Sequence, residues 1–128
     1  MNGIKVIGIG VDIVDIGRIR NAHCRWGERF LRRLFCPGEL AHCLRRTNPY
    51  PSLAARFAAK EAIAKALSVG FGKELSFRSI EIAPAAGAPT VNLAAEARKL
   101  LAAMGGSSIM VSLSHSRSHA IAHVLIGR

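Results

Sequence analysis

The stretch RFAAKEAIAKAL, residues 56–67, closes the longer run SLAARFAAKEAIAKAL that begins at Ser52. It is rich in alanine, holds neither Gly nor Pro, and stops ahead of Gly70, which predicts one well-formed helix. Glu61 is its one acid, set among Arg56, Lys60 and Lys65. As an exposed i, i+4 pair, Glu61 and Lys65 would contribute only ~0.2–0.5 kcal/mol. One acid amid three bases gives a reason to look for another role.

N-terminal to this helix, KVIGIGVDIVD at 5–15 is rich in Ile and Val and short enough for a buried strand. Asp12 lies inside it. An ionised carboxylate among apolar residues is costly unless it is paired, hydrogen-bonded or bound to a cation. The alternative is that the strand ends there and Asp12 faces water; the residue alone leaves both open. Asp15 is placed to cap a helix from Ile16, Pro37 to open a short helix running to about Arg46, and Pro51 or Ser52 to open the long helix after the break NPYPS at 48–52.

C-terminal to the long helix, a Gly-containing loop (68–76) leads to FRSIEIA at 77–83, which alternates like a strand. PAAGAP at 84–89 turns the chain before TVNL, a helix suits 93–104 with Gly105–Gly106 as its stop, and SSIMVSLS and SHAIAHVLI around Ser116–Arg117–Ser118 form a β-hairpin. The expected fold is α+β, one domain over residues 1–128, its mainly antiparallel sheet packed on the long helix.

Composition narrows the function. Half of the 128 residues are hydrophobic, which excludes a disordered chain. Charges at Asp12, Asp15, Glu61 and Lys65 interrupt every long apolar stretch, so neither a membrane span nor a signal peptide is expected. The three cysteines lack a CxxC spacing, as reduced cytosolic thiols do. A net charge of +10 favours a polyanionic partner: nucleic acid, an anionic surface, a phosphorylated cofactor or an acidic protein. Eight of the 18 Lys and Arg residues lie between Arg18 and Arg46, yet only Trp26, Phe30 and Phe35 interleave them, too little for a single-strand stacking platform. A small basic nucleic-acid-binding module is the alternative that the charge alone supports.

Asp12 and Glu61 together could chelate Mg²⁺, which takes a few carboxylates and completes its shell with water and substrate phosphates. Lys65 could then lie against those phosphates, an arrangement for phosphoryl or phosphate-ester transfer. Gly8-Ile9-Gly10 is no dinucleotide fingerprint, since Ile13 stands where glycine is needed, and Gly70-Phe71-Gly72-Lys73 is no Walker loop. That loop can still offer backbone amides to a phosphate. His115, His119 and His123 recur every four residues, but on strand-like sequence they make no zinc site. Within SLSHS at 112–116, His115 marks a polar edge for a ligand.

GIGVDIVDIGRI at 8–19, RFAAKEAIAKAL at 56–67, LSF at 75–77 and SLSHS at 112–116 together resemble the holo-acyl-carrier-protein synthases, small single-domain 4′-phosphopantetheinyl transferases. The resemblance spans essentially the whole chain and is carried by GxD and FxxKExxxK in the right order. It implies Mg²⁺-dependent transfer of 4′-phosphopantetheine from coenzyme A to a serine of apo acyl carrier protein, releasing adenosine 3′,5′-bisphosphate, in the cytoplasm and in fatty acid biosynthesis. Asp12 and Glu61 match the family's metal ligands, and Lys65 its phosphate-contacting lysine, which assists the leaving group. Ser68, Gly70, Gly72, His115 and Ser116 (Ser for the family's Thr) join Lys65 as coenzyme A contacts. Arg18 and Arg25 match residues that dock the carrier's acidic helix. A homotrimer with sites between subunits is implied, with neither nucleic acid nor membrane as partner. Two departures stand out: Cys36 replaces a common Thr ahead of Glu39, weakening a capping box without touching chemistry, and His42 replaces an aromatic.

Overall fold

The computed structural model describes residues 3–128. Strand β1 (Val6–Asp15) alternates cleanly: Gly10 and Val14 are buried, Asp12 is half-buried on the same face, and Ile9, Val11 and Ile13 stand 63%, 50% and 63% exposed on the other. The strand continues through Asp12, so the expectation of a buried strand holds for one face only.

Asp15 caps α1 (Ile16–Trp26), its carboxylate accepting the Gly17 N–H at 2.8 Å. Gly27, at φ 69°, breaks the helix in a conformation most side chains avoid. A second short helix, α2 (Glu28–Leu34), starts there and buries Leu31 and Leu34. The Arg-rich sequence did not separate it from α1. Helix α3 (Pro37–Cys43) has Pro37 in its first turn as expected but stops before Arg46.

Helix α4 (Tyr50–Ala66) starts one residue ahead of Pro51, the earlier of the two expected openings, and Pro51 fits a first turn whose N–H needs no partner. Leu53, Ala54, Ala58, Ala59, Ala62 and Ile63 are buried along it, so most of its circumference lies inside the protein. A single 3₁₀ turn at Phe77–Ser79 replaces the first half of the strand expected over 77–83; β2 is Ile80–Ala83. Then come β3 (Thr90–Leu93), α5 (Ala95–Ala103), β4 (Ser108–His115) and β5 (His119–Gly127).

The strands form two antiparallel sheets, β1-β5-β4 and β2-β3. In the larger one Asp12 pairs with Ala122 and Asp15 with His119, while Leu113 and His115 pair with Ala122 and Ala120. Its inner face, with Val14, Val111, Ala120, Ala122, Val124 and Ile126, packs on α4 and makes the core. The small alanines let helix and sheet approach closely, and that distance positions the site.

Candidate functional site

Two glycines of β1 set the approach. A Cβ on Gly10 would run into the carbonyl oxygen of Ala62, and one on Gly8 would lie 2.8 Å from that of Ala66. The spacing discounted as a nucleotide loop is thus a contact surface: bare backbone lies against bare helix. Asp12, two residues on and on the same face, is brought to the side of α4 that carries Glu61 and Lys65.

Lys65 turns across to the strand and not along its own helix. Its Nζ donates to Asp12 Oδ1 at 2.9 Å and to the Val11 carbonyl at 3.0 Å. The i, i+4 pairing with Glu61 weighed from sequence is therefore replaced by a cross-element one. Among the described residues no hydrogen bond reaches the Glu61 carboxylate. Burial pushes its carboxyl above the usual range and the nearby Asp12 charge adds to this, with Lys65 pulling the other way. Two half-buried carboxylates that repel one another are relieved by a cation. Hard oxygen donors, with no cluster of three or more His, Cys, Asp or Glu among the described residues, fit Mg²⁺ completed by water and phosphate and do not fit zinc.

The other two bases of the helix point away. Arg56 is buried, donating to Ser52 Oγ at 2.7 Å and the Ile82 carbonyl at 3.3 Å. Lys60 is fully buried, and its Nζ donates to Glu39 Oε1 (2.7 Å) and to the carbonyls of Phe77 (2.9 Å) and Ile80 (2.7 Å). Glu39, equally buried, also accepts from the Cys36 N–H at 2.8 Å and the Ile82 N–H at 3.1 Å. The Cys36 position thus keeps the Glu39 half of its capping box, and that half belongs to a buried network beside the site. Glu39 in the C-x-x-E pattern was the one sequence signal; nothing in the sequence paired it with Lys60.

Past α4, Ser68 takes φ 60°, and the helix is closed by Ser68 N–H to Lys65 O and Val69 N–H to Ala64 O, both 3.0 Å. The loop carrying Gly70 and Gly72 therefore leaves the helix next to Lys65. Gly72 N–H bonds Leu75 O at 2.8 Å, and no atom lies within 4 Å of where a Cβ on either glycine would sit. Phe71 stacks on Phe77, centroids 3.8 Å apart, and Phe77 on Phe57 of α4 at 5.5 Å.

His115 and Ser116 are not brought to Asp12 within one chain. They lie at the end of β4 and in the following turn, with β5 between them and β1. Both are exposed; Ser116 Oγ accepts from Ser118 N–H and His119 N–H at 3.3 and 3.1 Å. Arg18 and Arg25 are exposed on α1, and the Arg25 guanidinium lies 5.0 Å from the ring of Trp26, itself 61% exposed. Trp26, Arg29, Phe30, Arg32 and Arg33 line a cavity of about 680 Å³ alongside. Among the described residues no helix is long and apolar enough to cross a membrane.

A small α+β fold that sets two carboxylates and a lysine beside a glycine loop defines a class: an enzyme that handles a phosphorylated substrate. The chain belongs to the 4′-phosphopantetheinyl transferase superfamily, whose family model matches residues 8–123. It is 46% identical to the holo-[acyl-carrier-protein] synthase of Chlamydia trachomatis serovar D over 117 residues, 91% of this chain and 96% of that one. With that of Chlamydia felis it shares 47% over 119 residues, 93% and 95% of the two chains. Among solved structures, the holo-[acyl-carrier-protein] synthase of Neisseria meningitidis is similar at TM-score 0.87 and 35% identity, covering 97% of this chain and 100% of that one. That of Helicobacter pylori, solved in complex with coenzyme A, is similar at 0.81 and 39%, covering 92% and 98%.

Proposed function

We propose that this chain, as one transferase domain over residues 1–128, moves 4′-phosphopantetheine from coenzyme A to a serine of apo acyl carrier protein and releases adenosine 3′,5′-bisphosphate. The observation that carries the reading is the meeting of Asp12 with Lys65 at 2.9 Å beside Glu61. Family membership and relatives named for this reaction support it.

Asp12 and Glu61 would hold Mg²⁺, which supplies charge neutralisation at the pyrophosphate when bound. Lys65 is 55% exposed at its side chain, so its flexible stem can turn from Asp12 to an incoming phosphate. The serine oxygen replaces the adenosine-side bridging oxygen at the β-phosphorus: one P–O bond forms, one breaks, and the hydroxyl proton passes to a neighbouring carboxylate or to water. Lys65 would donate to the departing oxygen as its charge grows.

Ser68, Gly70 and Gly72 are read as coenzyme A contacts because the loop leaves α4 beside Lys65. His115 and Ser116 are read as contacts supplied from a neighbouring copy, because β5 separates them from Asp12 in their own chain. Exposed Ile9, Val11, Ile13, Met110 and Ile121 on the outer face of the large sheet support a homotrimer assembled there. Exposed Arg18 and Arg25, in a chain of net charge +10, are read as the dock for an acidic carrier. A cytoplasmic place in fatty acid biosynthesis goes with this reaction.

The test is the intact mass of apo acyl carrier protein after incubation with this chain, coenzyme A and Mg²⁺, with parallel EDTA and Glu61→Gln samples. A gain of one phosphopantetheine, lost in both controls, is expected. No gain with several apo carriers would overturn the reading and bring nucleic-acid binding forward.

A further inference from the structure

Lys60 precedes the candidate metal ligand Glu61 in sequence but faces the opposite way. All three of its ammonium protons are used: on Glu39 Oε1, on the Phe77 carbonyl and on the Ile80 carbonyl, at 2.7, 2.9 and 2.7 Å. Both side chains of the Lys60–Glu39 pair are 0% exposed. A buried ion pair is weak grounds for stability, because desolvating two charges offsets much of their attraction. What it does supply is directional: a rigid three-way bond that leaves one geometry for the groups it joins.

Those groups bracket the glycine loop. At its start the loop is held by the closing bonds of α4. At its far end, Phe77 O is held by Lys60, and the Phe77 ring lies between Phe71 of the loop and Phe57, one helical turn before Glu61. Glu39 ties the same knot to α3 and to Ile82 of β2. Among the described residues, Gly70 and Gly72 have no packing at their Cβ positions, so the loop's shape is set from its two ends and from Phe71.

We propose that Lys60, with Glu39, is a positioning residue for coenzyme A. It latches Phe77 so that the Phe71–Phe77 stack holds the Ser68–Gly72 loop beside Lys65. This rests on the proposed reading of that loop as a coenzyme A contact.

The test uses the full chain with apo acyl carrier protein, coenzyme A and Mg²⁺. Lys60→Met with Glu39→Gln removes both charges together, leaving neither buried alone. The folded double variant should raise KM for coenzyme A about tenfold, with KM for the carrier unmoved and kcat within about threefold. Its loop amides over 68–76 should exchange hydrogen faster than in the parent. Lys60→Gln with Glu39→Gln, which also removes both charges but keeps polar groups facing the Phe77 and Ile80 carbonyls, is the milder member and should shift the same KM in the same direction by less; it carries the test where the first double variant does not fold. A merely structural role would lower the melting temperature and the active fraction without moving KM for coenzyme A, and that result overturns the proposal. Phe71→Ala separates the two readings. If it raises that KM while the latch variants do not, the latch fails and the loop reading stands. If it and the latch variants all leave that KM unchanged, the loop is no coenzyme A contact and both fall.

Discussion

Gly10 of β1 lies against the carbonyl of Ala62 on α4 with no room between them for a methyl group. Because Asp12 is two residues further along the same face, that contact sets how far Asp12 stands from Glu61 and Lys65. Gly10→Ala must push the strand off the helix at the point where the backbone cannot yield. Overpacking of this kind costs about 1–3 kcal/mol. The melting temperature should fall by several degrees, and kcat in the remaining folded enzyme should fall further than the loss of folded protein explains. A variant with normal kcat would show that the approach is not needed for the site.

Glu61→Gln should separate stability from function. The carboxylate is half-buried beside Asp12 and has no hydrogen-bond partner among the described residues, so a neutral amide removes repulsion. The melting temperature without metal should hold or rise, while Mg²⁺-dependent transfer falls about a hundredfold or more. Thermal denaturation and carrier mass analysis on the same preparation measure both. Retained activity would remove Glu61 from the site.

Ser79 Oγ donates to Glu96 Oε1 at 2.6 Å, joining the 3₁₀ turn to α5, and this bond holds the Glu96 carboxyl below its ordinary range. A depressed folded-state pKa gives stability that is fully present above the unfolded value of 4.5 and is lost as pH falls through the lower folded value. Ser79→Ala should therefore be destabilised by a constant amount above about pH 5, with the gap to the parent narrowing in acid. Urea denaturation across pH 3–7 reads it. A gap independent of pH would assign the loss to Ser76 and Ser79 packing alone.

Charge reversal at the docking helix should act on the carrier and not on coenzyme A. Arg18→Glu with Arg25→Glu should raise KM for the acidic carrier about tenfold at low salt and flatten its salt dependence. Steady-state kinetics at two ionic strengths suffice, and equal shifts for both substrates would count against a docking role.

Val11 is 50% exposed in the middle of an apolar sheet face. Val11→Asp places a charge where copies are proposed to meet, so sedimentation should show monomers in place of trimers. Activity should fall too, since His115 and Ser116 would no longer be supplied by a neighbour. A monomeric parent protein would remove both expectations.

Much was legible in the sequence. Asp15 as a helix cap, Pro37 in a first turn, the alanine-rich helix and the terminal hairpin all follow from local rules, because caps, turns and periodicity involve residues a few positions apart. The coupling of Asp12 with Glu61 and Lys65 was also legible, since carboxylates and a lysine set in apolar or Ala-rich surroundings call for an explanation. The division of α1 from α2 was less so, as one glycine in an Arg-rich run can end a helix or ride within it.

Local sequence rules carried most of the element types and the enzyme class, and they singled out Asp12, Glu61 and Lys65, the residues proposed here to carry the chemistry. Tertiary structure alone decided which way each charge turns. Lys65 crosses to Asp12 and the Val11 carbonyl, Lys60 sinks onto Glu39, and His115 stands two strands from Asp12. The physical reason is that a long cation's partner depends on which element packs within a few ångströms of it. For Lys65 that was set by bare glycine backbone lying on an alanine helix, a contact between residues more than fifty positions apart for Gly10 and Ala62.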